Sequence, residues 1–309
     1  MLTVIRRVAL GLLVVPLLVV AWLFVVWPPP AWWRTHWPAE TAFMRMREGQ
    51  FALAGDTAPL RYRPVPLDSI TVWLERAATA GEDDAFFLHH GIDYRALRKA
   101  IGYRRDTFAW GNRRDRDDLR RALRSSLGHR DRLHGASTIT QQLAKNLYLS
   151  PSRNPLRKLK EAAIAYRLEW ALPKSRILEL YLNVAEFGPN LWGVEAASQR
   201  YFGRGASRLS MDQAALLIAT LPHPLTSNPA YRPGRTRWRQ QLILRRLRGE
   251  PVEVPAEPGE ELPLPVMPPM DTLPFLPDTM PVPPPNDTTA VPAKPDTAVV
   301  LPGRLTRAR

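Results

Sequence analysis

"GASTITQQLAKN", residues 135–146, decides how the chain is read. Ile139, Leu143 and Leu147 recur every four positions, the spacing of one buried helical face. Thr138, Gln141, Gln142 and Lys145 fall on a separate arc about 100° wide at about 100° per residue. A solvated face would ordinarily mix Glu and Lys. This arc carries a hydroxyl, two amides and a single cation instead. Such a stripe asks for a partner other than water.

Outward from this stretch the helical period continues on both sides. "LDSITVWLERAATAGEDD" (67–84) offers Asp68 or Ser69 as an N-cap before an apolar run. "NPLRKLKEAAIAYRLEWALP" (154–173) has Asn154 as cap and Pro155 at the first helical position. "SMDQAALLIATLP" (210–222) opens with a capping-box pair, Ser210 and Gln213, and stops at Pro222. No sustained apolar–polar alternation marks a sheet. The patterns predict a mainly α domain over residues 61–250, long enough for a full core.

The flanks differ from this domain. Residues 8–27, "VALGLLVVPLLVVAWLFVVW", carry no charge, and about 20 such residues cross a bilayer core. A signal peptide would have a shorter apolar core and a small-residue cleavage site. Trp27, Trp32 and Trp33 suit an interfacial aromatic belt, and Arg6 and Arg7 keep residues 1–7 in the cytoplasm. The expectation is one transmembrane helix over 8–27, a juxtamembrane connector over 28–60, and the catalytic bulk outside the cytoplasm. Residues 251–309 hold 16 of the 32 prolines and show no helical period. They read as a disordered tail, because such a composition buries too little apolar surface to offset its ordering entropy.

The chain has a formal charge of +14 and no cysteine. Without cysteine there is no disulfide, no thiolate metal site and no cysteine nucleophile. The charge suits nucleic acid, anionic lipid or phosphorylated substrates. An extracytoplasmic domain does not meet the chromosome, so nucleic acid is not expected as a partner.

Two stretches could carry chemistry. In "GEDDAFFLHHGID" (81–93), Glu82, Asp83 and Asp84 precede two phenylalanines and two histidines. One reading is acids at a helix N-terminus, stabilised by the helix dipole. The other is a general base, one carboxylate held beside apolar Phe86 or Phe87. His89 and His90 point about 100° apart on a helix and make a poor chelating pair. In "RKLKE" (157–161), Arg157, Lys158 and Glu161 share one arc, opposite an apolar stripe of Leu156, Leu159, Ala163, Tyr166 and Trp170. Either this is a solvated face behind a buried stripe, or the cations form a phosphate-holding cluster. Phosphate-loop, dinucleotide-binding, zinc-hydrolase and serine-hydrolase signatures are all absent.

Four blocks occur in order: E-D-x-x-F-x-x-H-x-G (Glu82, Asp83, Phe86, His89, Gly91), G-x-S-T-I-T-Q-Q (Gly135 to Gln142), R-K-x-x-E (Arg157, Lys158, Glu161) and K-x-x-I-L-E-x-Y-L-N (Lys174 to Asn183). With "AEFGPNLWGVEAASQRYFG" and "AALLIATLPHP", they make the chain resemble the family 51 glycosyltransferases, the peptidoglycan transglycosylases, in their monofunctional biosynthetic branch. The resemblance spans roughly residues 60–245. It implies a lysozyme-like helical lobe with a mobile, membrane-facing lobe. It also implies polymerisation of lipid-linked disaccharide-peptide (lipid II) into β-1,4 glycan strands, with inversion and undecaprenyl diphosphate as leaving group.

Carried over by motif, Glu82 would deprotonate the acceptor sugar's 4-hydroxyl. Glu161 would assist at the leaving diphosphate, directly or through a divalent metal (Mg or Mn); no other cofactor is implied. Lys145, Arg157 and Lys158 would hold the diphosphate. Asp83, Ser137, Thr138, Gln141, Gln142, Asn146 and Arg153 would line the cleft. Expected partners are lipid II, the growing glycan strand and membrane lipids, with other wall-synthesis or division proteins a further option. The location implied is the cytoplasmic (inner) membrane, single-pass, with the catalytic domain in the periplasm or outside.

Two features depart from the family. Residues 104–132 hold ten Arg and five Asp, longer than the usual connector, and read either as a lipid-binding patch or as a surface helix laced with ion pairs. The tail is too short for a transpeptidase domain, so the chain is expected to be monofunctional. The rival readings are a lysozyme-like glycan-cleaving enzyme, which needs no diphosphate-holding cations, and a catalytically inactive wall scaffold.

Overall fold

Capping chemistry sets several of the helix boundaries. The computed structural model describes residues 2–53, 59–103, 105, 107–128, 137–149 and 155–255; Arg153, Asn154 and residues 256–309 lie outside. The first helices are α1 (Leu2–Phe24), α2 (Ala42–Leu53), α3 (Val72–Glu82), α4 (Tyr94–Ile101) and α5 (Arg113–Gly128). Then come α6 (Ile139–Tyr148), α7 (Pro155–Ala171), α8 (Lys174–Val184) and α9 (Val194–Phe202), followed by α10 (Met211–Ala219) and α11 (Gly234–Leu247).

Thr138 caps α6 and Ser210 caps α10, each in a reciprocal box with the Gln three residues on. Asp93 caps α4 by accepting from the backbone N–H groups of Arg95 and Ala96. Pro155 opens α7 as expected. At α3 the expected cap is displaced. Leu67–Ser69 forms a 3-10 turn, and the helix starts at Val72 after Thr71, so neither Asp68 nor Ser69 caps it.

A small sheet does exist, of β1 (Arg61–Tyr62), β2 (Glu186–Gly188) and β3 (Leu191–Trp192). β3 lies in the middle, parallel to β1 and antiparallel to β2. Strands of two or three residues are too short for the two-residue period to appear in a sequence.

Ile139, Leu143 and Leu147 are buried, as their spacing predicts. The core around them also takes in Trp33, Phe43 and Met44, so residues 30–53 pack with the domain. Trp33 donates from Nε1 to the Tyr148 hydroxyl at 2.6 Å, and Arg176 donates to the Trp33 carbonyl at 2.8 Å. At the other end, Ile243, Leu244 and Val254 close the same core.

The expected orientation of α7 is reversed. Leu156, Leu159, Tyr166 and Trp170 are exposed, Trp170 at 91 %, while Glu161, Ile164, Ala165 and Leu168 are buried. The apolar stripe points outward and the carboxylate inward. α1 lies beside this helix, with Lys160 Nζ 4.6 Å from the Trp22 ring and Arg167 donating to the Phe24 carbonyl at the C-terminal end of α1. Among the described residues no helix is long and apolar enough to cross a membrane. Residues 8–13, inside the expected span, have no described side chains.

Within the Arg-rich connector, residues 113–128 form α5, and ion pairs tie it down. Arg105 bridges Asp115 and Asp118, and Arg113 and Arg120 share Asp117. Asp115 is buried and also accepts from the Ala109 N–H. Phe108 packs edge-on between Tyr103 and Trp110.

Candidate active site

Glu82, Asp83 and Asp84 do not sit at a helix N-terminus. They close the C-terminal end of α3. Negative charge there opposes the helix dipole, so each carboxylate is held from another element. Glu82 accepts from Gln142 Nε2 on α6 at 3.0 Å and from Arg239 Nη2 on α11 at 3.1 Å. Arg246, one turn further along α11 than Ile243, pairs with Asp84. Asp83 accepts from the Ile139 N–H at 2.9 Å and from His89 Nε2 at 3.0 Å. Gly81 lets α11 come close, because a Cβ there would meet Ile243 Cδ1 at 3.0 Å and Ile218 Cγ2 at 3.2 Å.

Gln142 is oriented from its other end by Tyr181, whose hydroxyl donates to Oε1 at 3.2 Å. Burial first, and then the Glu82 and Asp83 charges, push the Tyr181 pKa well up, so the group stays a donor. The amide therefore presents its NH2 to Glu82. The Glu82 side chain is 10 % exposed and retains a lone pair on each oxygen. It has the geometry of a proton acceptor at the edge of solvent.

Three residues along α6 from Gln142, on the same face, stands Lys145. Its ammonium lies 5.5 Å from the Phe43 ring centroid and interacts with Glu161, Lys158, Arg157 and Glu186. Burial lowers its pKa most; Glu161 opposes that shift, and the two neighbouring cations add to it. On α7, Arg157 Nη1 donates to Glu161 Oε2 at 2.8 Å, and Lys158 pairs with Oε1. Glu161 is 2 % exposed. Lys158 also donates to Ser137 Oγ at 2.8 Å, linking the start of α6 to the cluster. Three cations thus gather around one buried carboxylate, an arrangement with positive charge to spare for an anion.

Glu161 is the carboxylate that a divalent metal would have to use at this cluster. Both of its oxygens already face cations. Among the described residues no three His, Asp or Glu side chains are grouped to hold an ion.

The other expected lining residues divide. Ser137, Gln142 and Lys145 reach the two clusters. Thr138 and Gln141 do not, since both are buried in the α6 capping box, and Thr138 Oγ1 donates to the Gly91 carbonyl at 2.7 Å. Asp83 likewise serves the α6 N-terminus. Asn146 is buried, and its Oδ1 has no hydrogen-bond partner among the described residues. Arg153 lies outside the described residues. The fourth block is scaffold: Lys174 bridges Glu169 and covers the Phe86 ring at 4.3 Å. Glu179 and Asn183 accept from the Leu67 and Val65 N–H groups, both at 2.8 Å, tying down the segment that leads into α3.

The transglycosylase family profile matches residues 107–248. A biosynthetic peptidoglycan transglycosylase of Bordetella pertussis (strain Tohama I) is 38 % identical over 252 residues, covering 82 % of this chain and 95 % of that protein. Proteins of the same description from Azoarcus sp. (strain BH72) and Citrobacter koseri are 42 % and 40 % identical, over 66 % and 79 % of this chain and 77 % and 89 % of theirs. The chain belongs to the biosynthetic peptidoglycan transglycosylases.

Its activity is the family's, polymerisation of peptidoglycan glycan strands. The profile match includes the α7 cation cluster and begins after Glu82. Two groups of this transglycosylase site escape a motif search, Arg239 and Tyr181. Arg239 lies outside the four blocks, in a helix rich in arginine, where nothing distinguishes it from its neighbours. Tyr181 does lie inside the fourth block, but its aim at Gln142 appears only when α6 and α8 are packed.

Proposed function

We propose that this transglycosylase polymerises lipid II into a β-1,4 glycan strand, with Glu82 as base and the α7 cluster as the diphosphate site. One observation carries the reading. Gln142 and Lys145, a single turn apart on one face of α6, connect the Glu82 carboxylate to the Glu161 cation cluster. In the step proposed, the acceptor's 4-hydroxyl oxygen bonds to the donor's anomeric carbon as its proton passes to Glu82. The bond from that carbon to phosphate breaks, and the lipid diphosphate departs with the electron pair. Lys145, Arg157 and Lys158 neutralise the charge that develops there. Glu161 holds the two α7 cations in place, and no step is routed through a metal.

Full-length protein in detergent, given lipid-linked disaccharide-pentapeptide, is expected to yield glycan polymer. Soluble fragments released from finished wall would mark the glycan-cleaving alternative. No turnover of either material would mark an inactive scaffold.

The membrane location belongs to the same reading. Leu17, Leu18 and Trp22 of α1 are exposed, and so are Leu159, Tyr166 and Trp170 of the adjoining α7. An apolar surface of this kind suits the hydrocarbon and interfacial layers of a bilayer. We propose that residues 8–27, most of them in α1, cross the cytoplasmic membrane once with residues 1–7 inside, and that the α7 stripe lies at its outer face. A chain lacking residues 1–27 is then expected to bind neutral vesicles. Leu159→Ser with Trp170→Ser should weaken that binding at least about tenfold, given about 1.5–3 kcal/mol for each large apolar side chain buried. Binding that instead needs anionic lipid and disappears with salt would point to the arginines of α5.

A further inference from the structure

We infer that Arg239 is a positioning residue for the base, holding the Glu82 carboxylate in its reactive orientation from α11; this rests on Glu82 acting as the base. Arg239 is among the largest fully buried side chains of the protein. Its Nη2 donates both to Glu82 Oε1 at 3.1 Å and to the Gly81 carbonyl at 2.8 Å. Its Nη1 donates to the Pro255 carbonyl, at the root of the proline-rich tail. A guanidinium is planar and presents its donors in a fixed fork. Three acceptors taken at once therefore lock its plane, and through it the carboxylate.

The need for such a lock follows from where Glu82 sits. The last turn of α3 exposes carbonyls and the negative end of the dipole, an unfavourable place for a nearly buried carboxylate. Arg239 meets both problems with one group, since it bonds the Gly81 carbonyl of that turn and the carboxylate beside it. With Oε1 held by Arg239 and Oε2 by Gln142, rotation of the carboxylate is blocked from both sides. Neither partner need touch the sugars.

The tail root extends the arrangement. Val254 is buried in the core and Glu253 pairs with Lys99 of α4 at 2.6 Å, and these two contacts hold the segment that carries the Pro255 carbonyl.

The test compares full-length Arg239→Gln and Arg239→Lys with wild type on lipid-linked disaccharide-pentapeptide, with kcat scaled to the folded fraction from the melting curve. A Gln variant cannot bond all three acceptors and carries no charge; a misplaced catalytic group can cost about a hundredfold. The expected result is a kcat loss of about that size with KM changed less than about twofold. Lysine, which keeps the charge and one or two bonds, should recover about tenfold of the loss. A purely structural residue would lower the melting temperature and leave kcat per folded molecule alone. Wild-type kcat in a folded Gln variant would overturn the assignment. If Gln does not fold, wild-type kcat in the Lys variant would do the same. Glu82→Gln is run in parallel: activity there would defeat the base assignment itself, whereas an inactive Glu82→Gln beside fully active Arg239 variants defeats only the role of Arg239.

Discussion

Glu82→Gln is expected to stop glycan polymerisation while the protein still folds. The amide keeps the size and shape of the side chain and can still bond one of its two partners, Gln142 or Arg239. What it loses is the proton acceptor. General base catalysis supplies about 10²–10⁴-fold, so polymer formation at saturating donor should drop by at least that factor. Melting should stay cooperative, because Arg239 retains the Gly81 and Pro255 carbonyls. A folded Gln variant with more than about a tenth of the wild-type rate would move the base elsewhere.

The second large effect is expected at Arg157 and Lys145. Arg157→Ala removes a fork from the proposed diphosphate site and also leaves one oxygen of the buried Glu161 carboxylate without this bond. Hydrogen bonds to charged groups contribute about 1.5–3 kcal/mol, equivalent to about tenfold to a hundredfold in kcat/KM. Lys145→Ala should lose a similar amount. Because burial and the neighbouring cations lower the Lys145 pKa, its charge is lost at lower pH than that of an ordinary lysine. Donor use should therefore decline earlier on the alkaline side, and Lys145→Arg should remove that decline. Steady-state kinetics across pH, with melting curves for each variant, give the answer. Unchanged kcat/KM in folded Arg157→Ala would return this residue to a surface ion pair with Glu161.

The two helices that build the site were legible to different degrees. On α6 the four-residue recurrence of Ile139, Leu143 and Leu147 announces the buried face, and burial follows it. The polar arc beside it is mixed in purpose. Thr138 and Gln141 satisfy the orphan N–H groups of the first turn, while Gln142 and Lys145 face the clusters. Periodicity alone cannot separate them, since a capping residue and a ligand-facing residue share the same polar chemistry and the same arc. On α7 the period was right and its direction wrong. A stripe of Leu, Tyr and Trp is buried in a protein surrounded by water, but here Leu159 and Trp170 are exposed beside α1.

The acids of α3 show the same division. Their types and order, with the three later blocks, identify the family without any coordinates. Their position at the helix C-terminus could not be read, because α3 continues through Gly81 to Glu82 and acids before an apolar run read equally well as a helix start. By itself the sequence determined the helical class, the capping box at Ser210, and the residue types from which the site is made. These are local properties, set by side-chain period and by hydrogen bonds a few residues long. Only the tertiary structure decided that Arg239, 157 residues from Glu82 along the chain, is one of the two groups that hold it. It also decided that α7 turns Glu161 inward. Such pairings are set by which helix faces pack together, and a periodic pattern names the faces without naming their neighbours.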